Sequence, residues 1–250
     1  MQSNASNAGA AQRGPRTLVI GDLHLCPSRP DITAAFARFL DEQLDGAEAL
    51  YIVGDLFEFW IGDDDINPFT DEVAALLHRA SQRLPIYFIH GNRDFALGQH
   101  YAARCGMTLL PEVAKLDLYG KPTVILHGDS LCTDDVEYQK FRRLRNRRWF
   151  RVVTAAMPLK LRRYLSDKGR AKSKQKAQQS DYKPVDVTAH AVADLMAQQH
   201  AVQMIHGHTH RPAIHDLDNG QQRLVVGDWY DQQSALIVTP EGAQLTSDAL

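Results

Sequence analysis

Five times along this chain a short apolar run ends in a glycine followed by Asp, Asn or His. The runs Thr17–Ile20, Leu50–Val53, Ile86–Ile89, Val124–Leu126 and Val202–Ile205 lead into GDLH (21–24), GD (54–55), GNRD (91–94), HGD (127–129) and GHTH (207–210). Short apolar runs bounded by glycine read as buried strands. In open α/β sheets, ligands gather beyond the carboxyl ends of the strands. The chain must therefore fold so that five strand exits can meet. Carboxylate, imidazole and amide donors without a thiolate suit borderline divalent metals such as Mn2+, Fe2+ or Zn2+.

Helical patterns fill the gaps between these runs. Residues 32–44 carry Ile32, Phe36, Phe39, Leu40 and Leu44 on one face, with Asp31 as a cap, and 71–83 repeat the logic with Val73, Leu76, Leu77 and Ala80. Strand and helix signals in alternation predict a layered α/β domain over 17–250. Beyond GHTH the pattern turns to strands at 223–229, 234–239 and 243–246, expected to complete a second sheet packed on the first. The polar residues 1–16 read as a disordered leader. No apolar run reaches the ~20 residues that span a bilayer. Three cysteines without paired spacing predict reduced thiols, with Cys26 and Cys132 buried.

Residues 135–183 differ in kind. Between Lys140 and Lys176 stand 15 of the 28 basic residues with a single acid, Asp167, although the whole chain carries a net charge of -2. Phe141, Trp149, Phe150, Met157, Leu161 and Tyr164 are interleaved with them. The pattern predicts an inserted, basic, amphipathic helical subdomain. An anionic lipid surface and a nucleic acid would each satisfy its charge.

Taken together, D-x-H, GD, GN-x-D, H-G-D and GH-x-H over 21–210 resemble the calcineurin-like metallophosphoesterases. The resemblance implies an α/β/β/α double-sheet sandwich holding two metal ions. Carried over by position, Asp22, His24, Asp55 and His208 would hold one ion, and Asp55, Asn92, His127 and His206 the other, with Asp55 bridging. His210 stands beside these ligands, His90 reads as a core residue, and Asp94 and Asp129 would orient ligands. Two ions at ~3.5–4 Å activate a water and clamp the oxygens of a phosphorus centre. Where many relatives carry a histidine to protonate the leaving group, this chain has Arg93. An arginine is a poor acid but a good bidentate phosphate clamp, which points to a pyrophosphate bond whose leaving phosphate needs no proton.

Longer strings narrow the resemblance: YIVGDLFEFWIGDDD (51–65), YFIHGNRDFALG (87–98), GMTLLPE (106–112), HGDSLCTDD (127–135) and IHGHTHRPAIH (205–215). They are similar to the branch of the superfamily that acts on UDP-2,3-diacylglucosamine. That branch implies a Mn2+-dependent hydrolase with two Mn2+ per chain, cleaving the diphosphate by water attack on the α-phosphorus. UMP and 2,3-diacylglucosamine 1-phosphate (lipid X) would result, a step of lipid A biosynthesis at the cytoplasmic face of the inner membrane. Asp55, Asn92 and Arg93 would be catalytic, and Asn92, Arg93, Asp135, Ser173 and His206 would contact substrate. The expected partners are the glycolipid and the membrane surface, with no nucleic acid and no obligate protein partner. Phe141, Trp149, Met157, Leu161 and Tyr164 would either meet acyl chains or pack the subdomain's own core. The runner-up is a two-metal phosphohydrolase of a soluble nucleotide, which should not need the basic, apolar insert.

Overall fold

Alternation within the strands decides the layering. The computed structural model describes residues 14–166, 168 and 186–250. In β1 (Arg16–Ile20) and β2 (Ala47–Ile52), Leu18, Ile20, Leu50 and Ile52 face one side, where they pack on Phe36 and Phe39 of α1 (Pro30–Glu42), Val73 and Leu77 of α2 (Pro68–Ser81) and Tyr101 of α3 (Gln99–Cys105). Val19 and Tyr51 point the other way and meet Ile125, Ile205 and Leu224 in a second apolar layer. A third layer joins Val124, Leu126 and Met204 to Val192 and Met196 of α7 (Ala189–Gln199). Successive side chains on a strand point to opposite faces, so two sheets with helices outside each bury both apolar faces of β1 and β2. The result is the expected α/β/β/α sandwich.

The first sheet has the order β11-β10-β1-β2-β3-β4, with β3 at Ile86–Phe88 and β4 at Met107–Leu109. Its β1–β4 pairs are parallel. The second sheet has the order β5-β6-β7-β9-β8, from β5 (Val113–Leu118), β6 (Lys121–Leu126), β7 (Gln203–His206), β8 (Ala213–Asp216) and β9 (Gln222–Val225). The tail corrects the sequence reading. Only β9 joins the second sheet; β10 (Gln232–Thr239) and β11 (Gly242–Ala249) cross back and extend the first. The outer edge of β1 needs backbone partners, and β10 supplies them in the register Thr17↔Val238 and Val19↔Leu236.

Both early helices start sooner than the hydrophobic pattern predicts, because Pro30 and Pro68 occupy their first positions and preset the helical φ. Asn67 adds a capping box, accepting from the backbone of Phe69 and Thr70. Arg16, placed in the leader by its sequence, opens β1 and donates to the carbonyls of Gln43 and Asp45. Residues 1–13 lie outside the described residues. Cys105 and Cys132 are buried, whereas Cys26 is half-exposed beside Ser28.

After β6 the chain forms α4 (Val136–Arg145), α5 (Arg148–Ala156) and a helical stretch, α6, at 159–166. The arginines here do not present one uniform charged face. Arg142 and Arg145 pair with Asp129, Arg162 with Asp64, and Arg163 with Asp65. Their charge is used to dock the helices on acids of the main body. The apolar side chains instead face outward: Trp149 is 53% exposed, Val152 67% and Tyr164 60%. These helices therefore leave their aromatic and aliphatic groups uncovered. Among the described residues no helix is long and apolar enough to cross a membrane.

Candidate metal centre

The strand exits of both sheets converge through the backbone before any side chain is considered. The N–H of Asp22 donates to Gly54 O (3.1 Å), that of His24 to Asp55 O (2.9 Å) and that of Gly207 to His127 O (2.9 Å). Asp22 then links the sheets: its Oδ2 accepts from the N–H of His208 (2.7 Å), and its carbonyl from that of Trp229 (3.1 Å). Asp22, His24, Asp55, His208 and His210 all hold positive φ, between 51° and 69°. Left-handed backbone costs ~1–3 kcal/mol per non-glycine residue and persists where the surroundings over-determine it. Five such residues here turn side chains inward that a continuing strand would point elsewhere. The flanking glycines make room: a Cβ on Gly54 would meet Gly91 Cα at 2.6 Å, and one on Gly91 would collide with the Asp55 carboxylate.

Two donor clusters result, Asp22 with His24 and His210, and Asp22 with Asp55 and His127. Asp22 Oδ1 lies 3.5 Å from His210 Nε2 and 3.9 Å from His24 Nε2. His127 donates from Nδ1 to Val53 O (2.8 Å), which turns Nε2 towards Asn92 Oδ1 (3.0 Å) and Asp55 Oδ1 (3.7 Å). The His208 ring stands 5.0 Å from that of His127. Burial disfavours charge on Asp22, yet His210, His127 and His24 around it hold its carboxyl well below the usual range. Burial likewise opposes a charged His127, but Asp55 and Asp22 push it up to about 9. His208 is pushed down to about 4 by burial and by His127.

This donor set fits divalent cations. Asp22 and Asp55 are fully buried carboxylates, and among the described residues neither is paired with a lysine or arginine. Asp22 Oδ1 receives no aligned hydrogen bond. Buried anions in that condition call for a cation between them.

One pair of histidines is displaced from the sequence expectation. His206 donates from Nδ1 to Gly207 O (2.8 Å) and accepts at Nε2 from Arg223 Nη1 (3.3 Å), so both nitrogens are engaged away from the donors. It is the last residue of β7, with regular strand geometry. The inward-turned imidazoles are His208 and His210, on the loop beyond. Asp129 also differs: it accepts from Tyr138 Oη, Arg142 Nε and Arg145 Nη2, and so faces the insert rather than orienting a ligand. Asp94 accepts backbone N–H groups of Leu56 (2.7 Å) and Gly91 (2.8 Å), clasping two loops, and burial beside Asp55 raises its pKa. His90 is half-buried on Leu97 O. Asp135 caps α4 through the N–H of Tyr138. Arg93 reaches Glu58 at 3.2 Å on the rim of the site. Ser173 lies outside the described residues.

The sequence reading passed over four neighbours. Tyr230 stacks on His24 with ring centroids 5.0 Å apart, and Asp228 Oδ2 lies 3.7 Å from His210 Nδ1. Both follow β9 in Gly227-Asp228-Trp229-Tyr230, the same glycine-aspartate exit as at 54–55, which could have flagged them. Arg145 donates to Asn92 O (3.2 Å), and Glu58 stands beside both His24 and Arg93. No local pattern marks either.

Carboxylates, imidazoles and an amide gathered at the strand exits of a double sheet are the donor set of a metal-dependent phosphoesterase, and the chain belongs to the calcineurin-like phosphoesterase family, which matches residues 15–212. Members of that family use divalent metals. Within it, the chain is 58% identical over 232 residues to a UDP-2,3-diacylglucosamine hydrolase of Shewanella sp. (strain ANA-3), covering 93% of this chain and 97% of that one. It is 56% identical over 230 residues to the UDP-2,3-diacylglucosamine hydrolase of Shewanella pealeana, covering 92% and 97%. Among solved structures, an archaeal phosphodiesterase aligns over 94% of this chain and 99% of its own, with a TM-score of 0.48 at 13% identity.

Proposed function

We propose that this protein hydrolyses the diphosphate of UDP-2,3-diacylglucosamine by water attack on the α-phosphorus. The products are UMP and 2,3-diacylglucosamine 1-phosphate, and the reaction belongs to lipid A biosynthesis. One observation carries the reading: 58% identity across 93% of the chain to a hydrolase of that substrate.

In this reading Asp22, His24, Asp55 and His210 hold one Mn2+, and Asp55, Asn92, His127 and His208 hold the other. The assignment replaces His206 with the pair the geometry favours. When bound, two such ions would lower the pKa of a water and neutralise charge on the oxygens around phosphorus. Asp55 holds the two sites close together. Asn92 adds a donor without adding charge, so the site still accepts an anion. Arg93 clamps the diphosphate oxygens through its planar fork. The leaving sugar 1-phosphate has a second pKa of about 6, so it departs without a general acid. Asn92, Arg93, Asp135, Ser173 and His208 contact the substrate.

The insert supplies the lipid side. The exposed Phe141, Trp149, Leu161 and Tyr164 take up acyl chains or the interface of the inner membrane at its cytoplasmic face, alongside the basic residues of the insert. The test is an assay on UDP-2,3-diacylglucosamine in detergent, with Mn2+ and then with chelator, in H2-18-O. Chelator-sensitive release of UMP carrying the label is the expected result. Turnover of a soluble nucleotide with no UMP from the glycolipid would overturn the substrate.

A further inference from the structure

Residues 56–60 lie between two parts of the site and are pinned to both. The N–H of Leu25 donates to Leu56 O (2.9 Å), that of Glu58 to Leu25 O (3.1 Å) and that of Trp60 to Arg93 O (3.1 Å). This backbone sets Glu58 between the GDLH loop and the GNRD loop. There its two oxygens divide. Oε2 lies 3.1 Å from His24 Nδ1, and Oε1 lies 3.2 Å from Arg93 Nη1.

The two contacts serve different groups of the proposed mechanism. His24 directs Nε2 towards Asp22 and His210, so Nδ1 is the nitrogen left to be fixed from outside. A carboxylate on the far nitrogen of a liganding histidine sets its tautomer and ring angle and raises its basicity. Here His24 Nδ1 receives no aligned hydrogen bond, so the link at this distance is charge to imidazole. Tyr230 stacks flat on the same ring, which leaves Glu58 to control its rotation in plane. Arg93, one-third exposed, would otherwise be free to swing into solvent. Held by one oxygen at Nη1, it keeps its remaining N–H groups for a phosphate.

We infer that Glu58 is a positioning residue that couples the metal centre to the phosphate clamp, one carboxylate orienting both His24 and Arg93. The inference rests on the proposed function for the roles of the metal ions and of Arg93. An ordinary partly exposed ion pair with Arg93 would contribute little and would leave the metal untouched.

The experiment compares Glu58→Gln, Glu58→Asp, Arg93→Ala and the Glu58→Gln/Arg93→Ala double variant with the parent chain. The first readout needs no substrate: metal-stripped protein is titrated with Mn2+ and free Mn2+ is followed by its paramagnetic resonance. Glu58→Gln should weaken one of the two Mn2+ by about 10–100-fold, the scale of losing an orienting partner. Arg93→Ala should bind Mn2+ like the parent. The second readout is KM. Glu58→Gln and Arg93→Ala should each raise it, and the double variant should match Arg93→Ala rather than multiply the two effects. Glu58→Asp, a methylene short of reaching both partners, should recover one readout and not the other. Parent-like Mn2+ binding by a folded Glu58→Gln, or multiplying KM effects, overturns the coupling. Failure of the substrate reading would look different, with no turnover by the parent chain, and the Mn2+ titration would still decide the His24 half.

Discussion

His210 Nε2 stands 3.5 Å from Asp22 Oδ1, whereas His206, earlier in the same motif, gives both ring nitrogens to Gly207 and Arg223. The two imidazoles should therefore answer substitution differently. His210→Ala is expected to lose about one Mn2+ per chain, with turnover falling accordingly. His206→Asn should keep both ions and instead lower the melting temperature, since the hydrogen bond from half-buried Arg223 to the buried His206 ring is lost at ~1 kcal/mol. Metal analysis by atomic emission separates the cases, and full metal loss in His206→Asn would restore it as a ligand.

Asp55 faces His127 while its Oδ1 also accepts the N–H of Arg93 (2.8 Å). Asp55→Ala should cut kcat by about 10³-fold or more, the scale of losing an electrostatic group at the reacting centre. Its Mn2+ isotherm should also weaken at both sites. Near-parent kcat would remove Asp55 from the bridging role.

Protons should compete with metal at His127. Burial favours its neutral form, but Asp55 and Asp22 raise its pKa to about 9, while a metal ligand must be neutral. Binding of Mn2+ at about pH 7.5 should thus expel a proton, and the release should fade as pH rises through about 9. Calorimetry in buffers of different ionisation enthalpy measures it directly. The linked stability has a definite sign. Because the folded pKa lies above the unfolded value of ~6.5, the contribution of His127 to the metal-free protein is complete below that value. It is lost as pH climbs through about 9.

The outward-facing insert gives a fourth expectation. Trp149→Ser with Val152→Ser should reduce co-sedimentation with vesicles containing anionic lipid, with far less effect on kcat measured in detergent micelles. Both side chains are more than half exposed, so the fold should survive their loss. Parent-like sedimentation would mean that neither side chain contributes to the membrane contact.

Much of the fold could be read from residue order because the five runs that lead to the site are largely apolar and each leads into a glycine. Leu18/Val19/Ile20 and Val124/Ile125/Leu126 each supply one interior layer and one helix-facing layer, so the sandwich follows from pattern alone. The allegiance of β10 was not legible: Ala235, Leu236 and Val238 alternate as well for either sheet, and only the open edge of β1 decides. Within the site, Asp22, His24, Asp55, Asn92 and His127 stood at the exits where the motifs placed them. The motifs point to His206 and His208, whereas the inward-turned imidazoles are His208 and His210, because β7 runs through His206 and the turn to positive φ begins only beyond it. Glu58 and Arg145 were invisible because they act across loops distant in sequence, and nothing local distinguishes them from other charged surface residues.

The stitching of His208 to Asp22 makes the reaction centre the point where the two sheets are fastened. A shear of one sheet over the other by even a single residue would pull His127 and His208 away from Asp22 and Asp55. The spacing of the two donor clusters thus depends on the apolar layer between the sheets, where Val19, Ile125, Ile205 and Leu224 meet. A change of volume far from any ligand, inside that layer, would register first as a change in how the centre holds metal.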